Sequence, residues 1–292
     1  YQIILQKENK GCFGQWIEGI EKATGDVIWF ADADDRCEDT FLEKLLPAFR
    51  DEEMSLAYSQ SHIIDGSGNK AEWSYLSYTK DIDKKKWKKD YVRLGQDEIL
   101  DSLAIKNTIP NASAVLMRKS ALGGLRDKLV KFTSAGDWYT YLYVLRKGKI
   151  FYCAEFLNYH RRHDTSIIHK TIRNLSLFEE IFSIQKHLLE EFHISPEIIE
   201  KMYGHWKNEY KRVCDNFELT GDSEESFNKV KQQTEELNEL IKRKRMDSQK
   251  RKNILFVLLS FSTGGGEIFP IRLANHLADE HNVFIYVIRP QS

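Results

Sequence analysis

The chain has 292 residues, 43 Lys and Arg against 44 Asp and Glu, and 41% hydrophobic residues. That length allows one or two domains with a proper core, and that composition is ordinary for a globular protein. The even charge gives no reason to expect a nucleic-acid partner, which would call for a basic excess, and no apolar run is long enough for a transmembrane helix. Cys12, Cys37, Cys153 and Cys214 form no C-x-x-C pair and are too scattered for a disulfide framework. Free thiols in a reducing cytosol are the expectation. No signal peptide is recognisable. A strand-like start at Tyr1 and a strand shortly before the final Ser292 suggest a fragment cut at both ends.

Residues 2–6 read as a short strand. Phe13, Trp16, Ile17, Ile20 and Ala23 recur at helical spacing and predict a helix over 12–23, closed by Gly25. Residues 26–31 (DVIWFA) form an apolar run suited to a buried strand. A helix over 41–49 contains Pro47, which should shorten or kink it. A strand at 55–59, a turn at 65–69 and a lysine-rich loop at 80–93 come next; the loop reads as solvated, with a face toward anionic lipid as the lesser alternative. A strand at 113–118, a helix from about 135 to 147 capped by Ser134 and stopped by Gly148, and strands at 149–154 and 156–161 complete an α/β layered pattern.

Residues 171–252 change character. Acidic and basic residues are nearly balanced there, the spacing is helical, and the stretch reads as a charged helical linker. From Asn253 the pattern becomes strand, glycine-rich turn (Gly264, Gly265, Gly266, Glu267), helix over 268–279 and strand over 283–288, the opening of a βαβ unit.

The strongest chemical signal is the acidic cluster Asp32, Asp34 and Asp35 at the end of the 26–31 strand. Open α/β sheets bind ligands at that edge. Crowded carboxylates repel one another and call for a cation; Mg²⁺ or Mn²⁺ takes oxygen ligands and can hold a diphosphate as well. The structural alternative is an acidic turn that caps the next helix. An aspartyl-nucleophile phosphatase also places Asp-x-Asp after a strand, but Arg36 stands where it wants Thr or Val.

Asn9-Lys-Gly11, then Gly19, Ala23, Gly25 and Asp26, then Phe30-Ala-Asp-Ala-Asp-Asp35, together resemble the family 2 glycosyltransferases. Gln15-Trp16-Ile17 replaces the family's Ala-Arg-Asn, which marks a divergent branch. Ser134-Ala-Gly-Asp137-Trp138 resembles the acidic motif that opens a helix and supplies a general base, and Asn158 to Asp164 resembles the Arg-x-His region after the last strand. The resemblance spans residues 1 to about 168 and implies an N-terminally incomplete GT-A domain over 1–170 with an inverting mechanism.

It further implies Asp137 as base, Asp32, Asp34 and His163 as metal ligands, and Asn9, Gly11, Asp35, Arg161 and Arg162 on the donor side. Asn111 and Trp138 would lie on the acceptor side. A helix N-terminus favours a charged carboxylate, so Asp137 is expected to be ionised. Ile254-Leu-Phe-Val, Ser262-Thr-Gly-Gly-Gly-Glu267 and Leu273-Ala274 resemble the opening of a family 4, GT-B glycosyltransferase over 253–292, with Gly264, Gly265, Gly266 and Glu267 as its phosphate loop.

The expected partners are a UDP-, dTDP- or GDP-linked sugar donor and a glycan or lipid-linked glycan acceptor. The expected location is the cytoplasm, extending to peripheral contact with the inner membrane face, and the expected task is assembly of a bacterial surface polysaccharide. A nucleotidyltransferase or an inactive glycan-binding scaffold are the competing readings; the first lacks its Lys/Arg-bearing glycine loop, and the second should have lost its carboxylates.

Overall fold

The structure is a computed structural model that describes residues 3–5, 7–162, 171–216, 223–250, 252–258, 273–274, 277–278 and 281–287. Contacts divide the chain into two compact units, Tyr1–Glu235 and Glu236–Ser292.

Helix α1 (Gly11–Lys22) buries Phe13, Trp16 and Ile17, the stripe its spacing predicts. It ends in extended Ala23, and Gly25 has no left-handed φ, so the helix stops without the expected glycine cap. Strand β1 (Val27–Trp29) is shorter than its apolar run because only three residues pair with the neighbouring strand. After β2 (Arg36–Cys37), helix α2 (Phe41–Leu45) gives way to a 3₁₀ turn over Leu46–Arg50 that contains Pro47. Proline lacks the N–H that would continue the α-helical ladder.

Strand β3 (Met54–Ile64) is twice as long as predicted. Its second half holds Ser59, Gln60 and Ser61, which are polar yet buried, and polarity alone hid them. Then come α3 (Tyr75–Thr79), β4 (Tyr91–Leu94), α4 (Gly95–Glu98), β5 (Val115–Arg118), α5 (Arg126–Leu129), α6 (Gly136–Leu145) and β6 (Lys149–Arg161). The two strands expected at 149–161 are one, with irregular register where Ser59 to Ser61 run beside it. At the end of α6, Gly148 has φ +109°, and a Cβ there would meet Ser55 Oγ at 2.2 Å, so the turn requires glycine.

The strands form one mixed six-stranded sheet in the order β1-β5-β3-β6-β2. Strands β3 and β6 are parallel, and the other pairs are antiparallel. Strands β4 and β2 share the outer edge of β6, one toward each of its ends. On one side of the sheet, Phe41, Leu45, Ala57, Leu116, Cys153 and Leu157 form a core. Residues 3–5 carry no strand, and Ile3 and Leu5 are exposed. An isolated strand leaves its backbone groups unpaired, and β1 pairs with β5 alone.

Helices α7 (Ser176–Glu191), α8 (Pro196–Asn216) and α9 (Ser223–Lys250) occupy the segment expected to be helical. They have a core of their own: Ile172, Leu175, Phe178, Trp206, Val213 and Val230 are buried together. This segment, read as a linker, belongs to the first compact unit as far as Glu235. In the second unit, β7 (Asn253–Leu258) and β8 (Asn282–Val287) pair in parallel. The expected glycine loop Gly264, Gly265, Gly266 and Glu267 lies outside the described residues, as do His163 and most of the 268–279 helix. All four cysteines are free.

Candidate active site

The site is built on the rim where β1 ends. Trp29 Nε1 donates to the Ser113 carbonyl at 2.8 Å, and the Asp32 N–H donates to Ser113 Oγ at 3.0 Å. The chain then turns, with the Asp35 N–H donating to the Asp32 carbonyl at 3.2 Å. The Asp35 carboxylate accepts from the Arg161 backbone N–H at 2.7 Å and from Asn111 Nδ2 at 3.2 Å. Buried Asn111 is itself fixed, because its Oδ1 accepts from the Ser113 N–H at 2.7 Å. The Arg161 guanidinium donates to the carbonyls of Asp34 (2.8 Å), Asp65 (2.8 Å) and Gly66 (3.1 Å). Asp35, Asn111 and Arg161 therefore hold the acidic loop against β6, and both oxygens of Asp35 are engaged.

Asp32 stands apart from this latch. Its side chain is open to solvent, yet enough protein surrounds it that partial desolvation pushes its carboxyl up to about 6. The neighbouring Asp35 and Asp34 charges push the same way, and a bond with Ser113 opposes them.

Opposite, α6 opens with Gly136-Asp137. A Cβ on Gly136 would meet the Phe13 ring at 2.7 Å, so glycine lets α1 pack against the start of this helix. The expected Ser134 cap is not formed: Ala135 is the capping residue, and Ser134 Oγ instead donates to Thr171 Oγ1 at 2.7 Å. Asn107 Nδ2 donates to Asp137 Oδ2 at 3.0 Å, and Asn107 Oδ1 accepts from the Ile109 N–H at 3.2 Å.

The helix start alone would favour a fully charged Asp137. Burial outweighs it and lifts the carboxyl to about 6. Bonds from the Trp138 and Asp137 N–H groups and from Asn107 resist that rise, while the charge of Asp32 adds to it. Asp137 is thus ionised at neutral pH and more basic than an ordinary aspartate. The effect of Asp32 on Asp137 also shows that the two motifs, about a hundred residues apart in sequence, converge. Cys12 at the start of α1 feels both carboxylates, and with burial as the main cause its thiol rises to about 11. Tyr141, one helical turn beyond Asp137, is fully buried near Asp137, Asp32 and Cys12, and its hydroxyl has no partner among the described residues.

A third group comes from the end of β6. The Tyr75 hydroxyl bonds to His160 Nδ1 and to the Arg162 side chain. Burial, reinforced by Arg162, depresses His160 to about 4 against the pull of Asp35 and Asp34, so His160 is neutral. Asn9 lies at the start of α1, where its Oδ1 accepts from the Gly11 N–H at 2.9 Å and Gly11 adopts φ +72°. Trp138 is buried, and its Nε1 donates to the Leu103 carbonyl at 3.0 Å.

Of the residues the sequence singled out, Asp32, Asp34, Asp35, Asn111, Asp137, Arg161 and Arg162 gather at this rim. Sequence reasoning missed Tyr75, Asn107 and Tyr141 and left His160 without a role. Only Tyr141 carried a signal, its four-residue spacing from Asp137.

The carboxylates of this loop are hard oxygen donors of the kind a divalent cation takes, and those of Asp35 are already engaged by Arg161 and Asn111. Among the described residues no three His, Cys, Asp or Glu side chains form a ready cage.

The family profile of glycosyl transferase family 2 matches residues 1–125. No curated protein matches the chain. Among solved structures, TarS of S. aureus (residues 1–349) superposes with a TM-score of 0.52 at 11% identity, over 82% of this chain and 68% of that one. At that identity the likeness speaks for the fold, a mixed-sheet frame of the GT-A kind. Residues 1–125 form a glycosyl transferase family 2 domain, and the chain is a glycosyltransferase.

Proposed function

We propose that the protein transfers a sugar from a nucleotide-sugar donor to a hydroxyl of a cell-surface glycan, with inversion at the anomeric carbon. The observation that carries this reading is the convergence of Asp32 and Asp137. One carboxylate stands beside the acidic loop, and the other is a base with a pKa of about 6. Asp137 Oδ would take the proton of the acceptor hydroxyl as that oxygen attacks the anomeric carbon. Its remaining oxygen would stay on Asn107, which keeps the carboxylate aimed.

Asp32 and Asp34 would hold Mg²⁺ or Mn²⁺, with His163 as a further ligand. The ion supplies neutralising charge for the departing nucleoside diphosphate. Arg162, beside Tyr75 and His160, is the cation best placed on the donor side, since Arg161 is engaged with backbone carbonyls. Asn9 and Gly11 would present the start of α1 to the donor. Asn111 would act through Asp35, and Trp138 would shape the acceptor side from behind. No described helix is long and apolar enough to cross a membrane; a cytoplasmic site of action with peripheral membrane contact is part of the proposal. The parallel β7–β8 pair supports a second, GT-B-like module at 253–292.

The test is consumption of UDP-, dTDP- and GDP-hexoses with Mn²⁺, by the wild type and by Asp137→Asn. Metal-dependent release of one nucleoside diphosphate, lost in the variant, is the expected result. Turnover that Asp137→Asn leaves intact would remove Asp137 as base.

A further inference from the structure

The loop that delivers Asp137 is held from outside the α/β sheet region. Residues Thr133, Ser134 and Ala135 run directly into α6, and all three of their N–H groups point at one carboxylate. Glu180 Oε1 accepts from the Thr133 N–H at 2.7 Å, and Oε2 accepts from Ser134 (3.0 Å) and Ala135 (2.7 Å). Glu180 belongs to α7, in the helical segment beyond the matched family domain. Ser134 Oγ adds a bond to Thr171 Oγ1 at the head of that segment. A further contact ties the same two helices: the His187 ring of α7 lies 5.3 Å from Tyr139 of α6. Glu179, beside Glu180, pairs with Lys229 of α9, which braces α7 in turn.

Three successive N–H groups around a carboxylate form an anion nest, and bonds to an ionised acceptor are the strong kind. Ala135 is 6% exposed, so its N–H has little access to water if Glu180 is removed. Gly136 alone separates Ala135 from Asp137, too short a span to absorb a shift of the loop.

We infer that Glu180 is a positioning residue for Asp137, and that helix α7 works as the outer wall of the active site by clamping the 133–135 backbone. Glu180 has no need to touch substrate; it acts by fixing where the base carboxylate sits. This inference rests on the reading of Asp137 as base, and its test is arranged so that the two can fail separately.

The experiment uses the full chain with Glu180→Ala and Glu180→Gln, and two of its readouts need no substrate. Amide hydrogen exchange at 133–135 should quicken in Glu180→Ala while the sheet amides keep their protection. The carboxyl titration of Asp137, followed by ¹³C NMR, should move down from about 6 toward the ordinary aspartate range as the loop opens to water. The third readout is turnover of the best UDP- or dTDP-hexose with Mn²⁺. In Glu180→Ala kcat should fall about 10- to 100-fold with little change in donor KM, the scale expected when a reacting group is displaced by about 1 Å.

Glu180→Gln keeps an acceptor oxygen and should recover much of the loss in all three readouts. If Glu180→Ala does not fold, Glu180→Gln carries the test with smaller shifts of the same sign. An unmoved Asp137 titration together with an unchanged kcat, in a variant that is merely less heat-stable, would overturn the inference. Turnover preserved in Asp137→Asn would sink the base reading alone, because exchange and titration would still decide the clamp.

Discussion

Two short loops bring carboxylates to this rim, and they are held in different ways. The 32–35 loop is tied down by the sheet itself: Ser113 and Asn111 just before β5 and Arg161 at the end of β6 engage its backbone and Asp35. The 133–137 loop is tied down by a helix more than forty residues later, through Glu180. In the first, one aspartate, Asp35, is given to structure, with both of its carboxylate oxygens engaged. In the second, the backbone is held from elsewhere, and Asp137 accepts from Asn107 and from the N–H groups of its own helix start. A carboxylate's role is thus set by who else bonds it, and proximity in sequence says little.

The two loops should differ most at Asp137. Asp137→Asn should lower kcat about 10²- to 10⁴-fold, the usual yield of a general base, with the donor KM nearly unchanged. Initial-rate kinetics on the donor series check it. In the wild type the same group should set the pH profile. Rates should fall as pH drops through about 6, where Asp137 takes up its proton, and should be flat above about 7.

Next in size is the sheet-held loop. Asp35→Ala removes two bonds to an ionised acceptor and leaves the buried Asn111 amide one partner short. It should cost about 2–4 kcal/mol in urea unfolding and weaken nucleotide binding indirectly. Smaller is Gly136→Ala, where the added methyl must displace the Phe13 ring; about 1–3 kcal/mol of destabilisation is expected in the same measurement.

The smallest effect has the opposite sign. Asp137 has a folded pKa raised above its unfolded value, so its ionisation works against folding. The folded state binds more protons between about pH 4 and 6, and stability falls across that window as pH rises. Asp137→Asn should therefore stabilise the protein at pH 7 by about 1–2 kcal/mol, while the difference fades below about pH 4. A thermal melt at both pH values reads it. Equal stability at pH 7 would mean that burial of the carboxylate is compensated by its three hydrogen bonds.

The sequence made the sheet-held loop legible and the helix-held one only half so. An apolar strand ending in Asp32, Asp34 and Asp35 is a local pattern, and so is the apolar stripe of α1. Asp137 could be placed at a helix start from spacing alone. Its environment could not, because Asn107 reaches it, and Glu180 reaches the backbone just before it, from distant segments with no periodic mark. Glu180 lies among many charged residues of a helix, where one more glutamate reads as solvated surface.

The same limit hid the length of β3. Ser59, Gln60 and Ser61 are buried because Tyr152 and the neighbouring strand accommodate them, and a polar triplet looks like a loop until the partner is known. Phe151 to Cys153 and Phe156 to Tyr159 did read as strand, but a single strand with an irregular register looks like two.

On the proposed mechanism, Asp32 and Asp34 meet a nucleoside diphosphate on the rim that Asp137 shares. Calorimetric titration of UDP and dTDP in the presence of Mn²⁺, on the wild type, Asp34→Ala and Asp137→Asn, tests it most directly. The account predicts metal-dependent binding that Asp34→Ala abolishes and Asp137→Asn leaves nearly intact. Binding that ignores both Mn²⁺ and Asp34, or no binding of any nucleoside diphosphate, would contradict it.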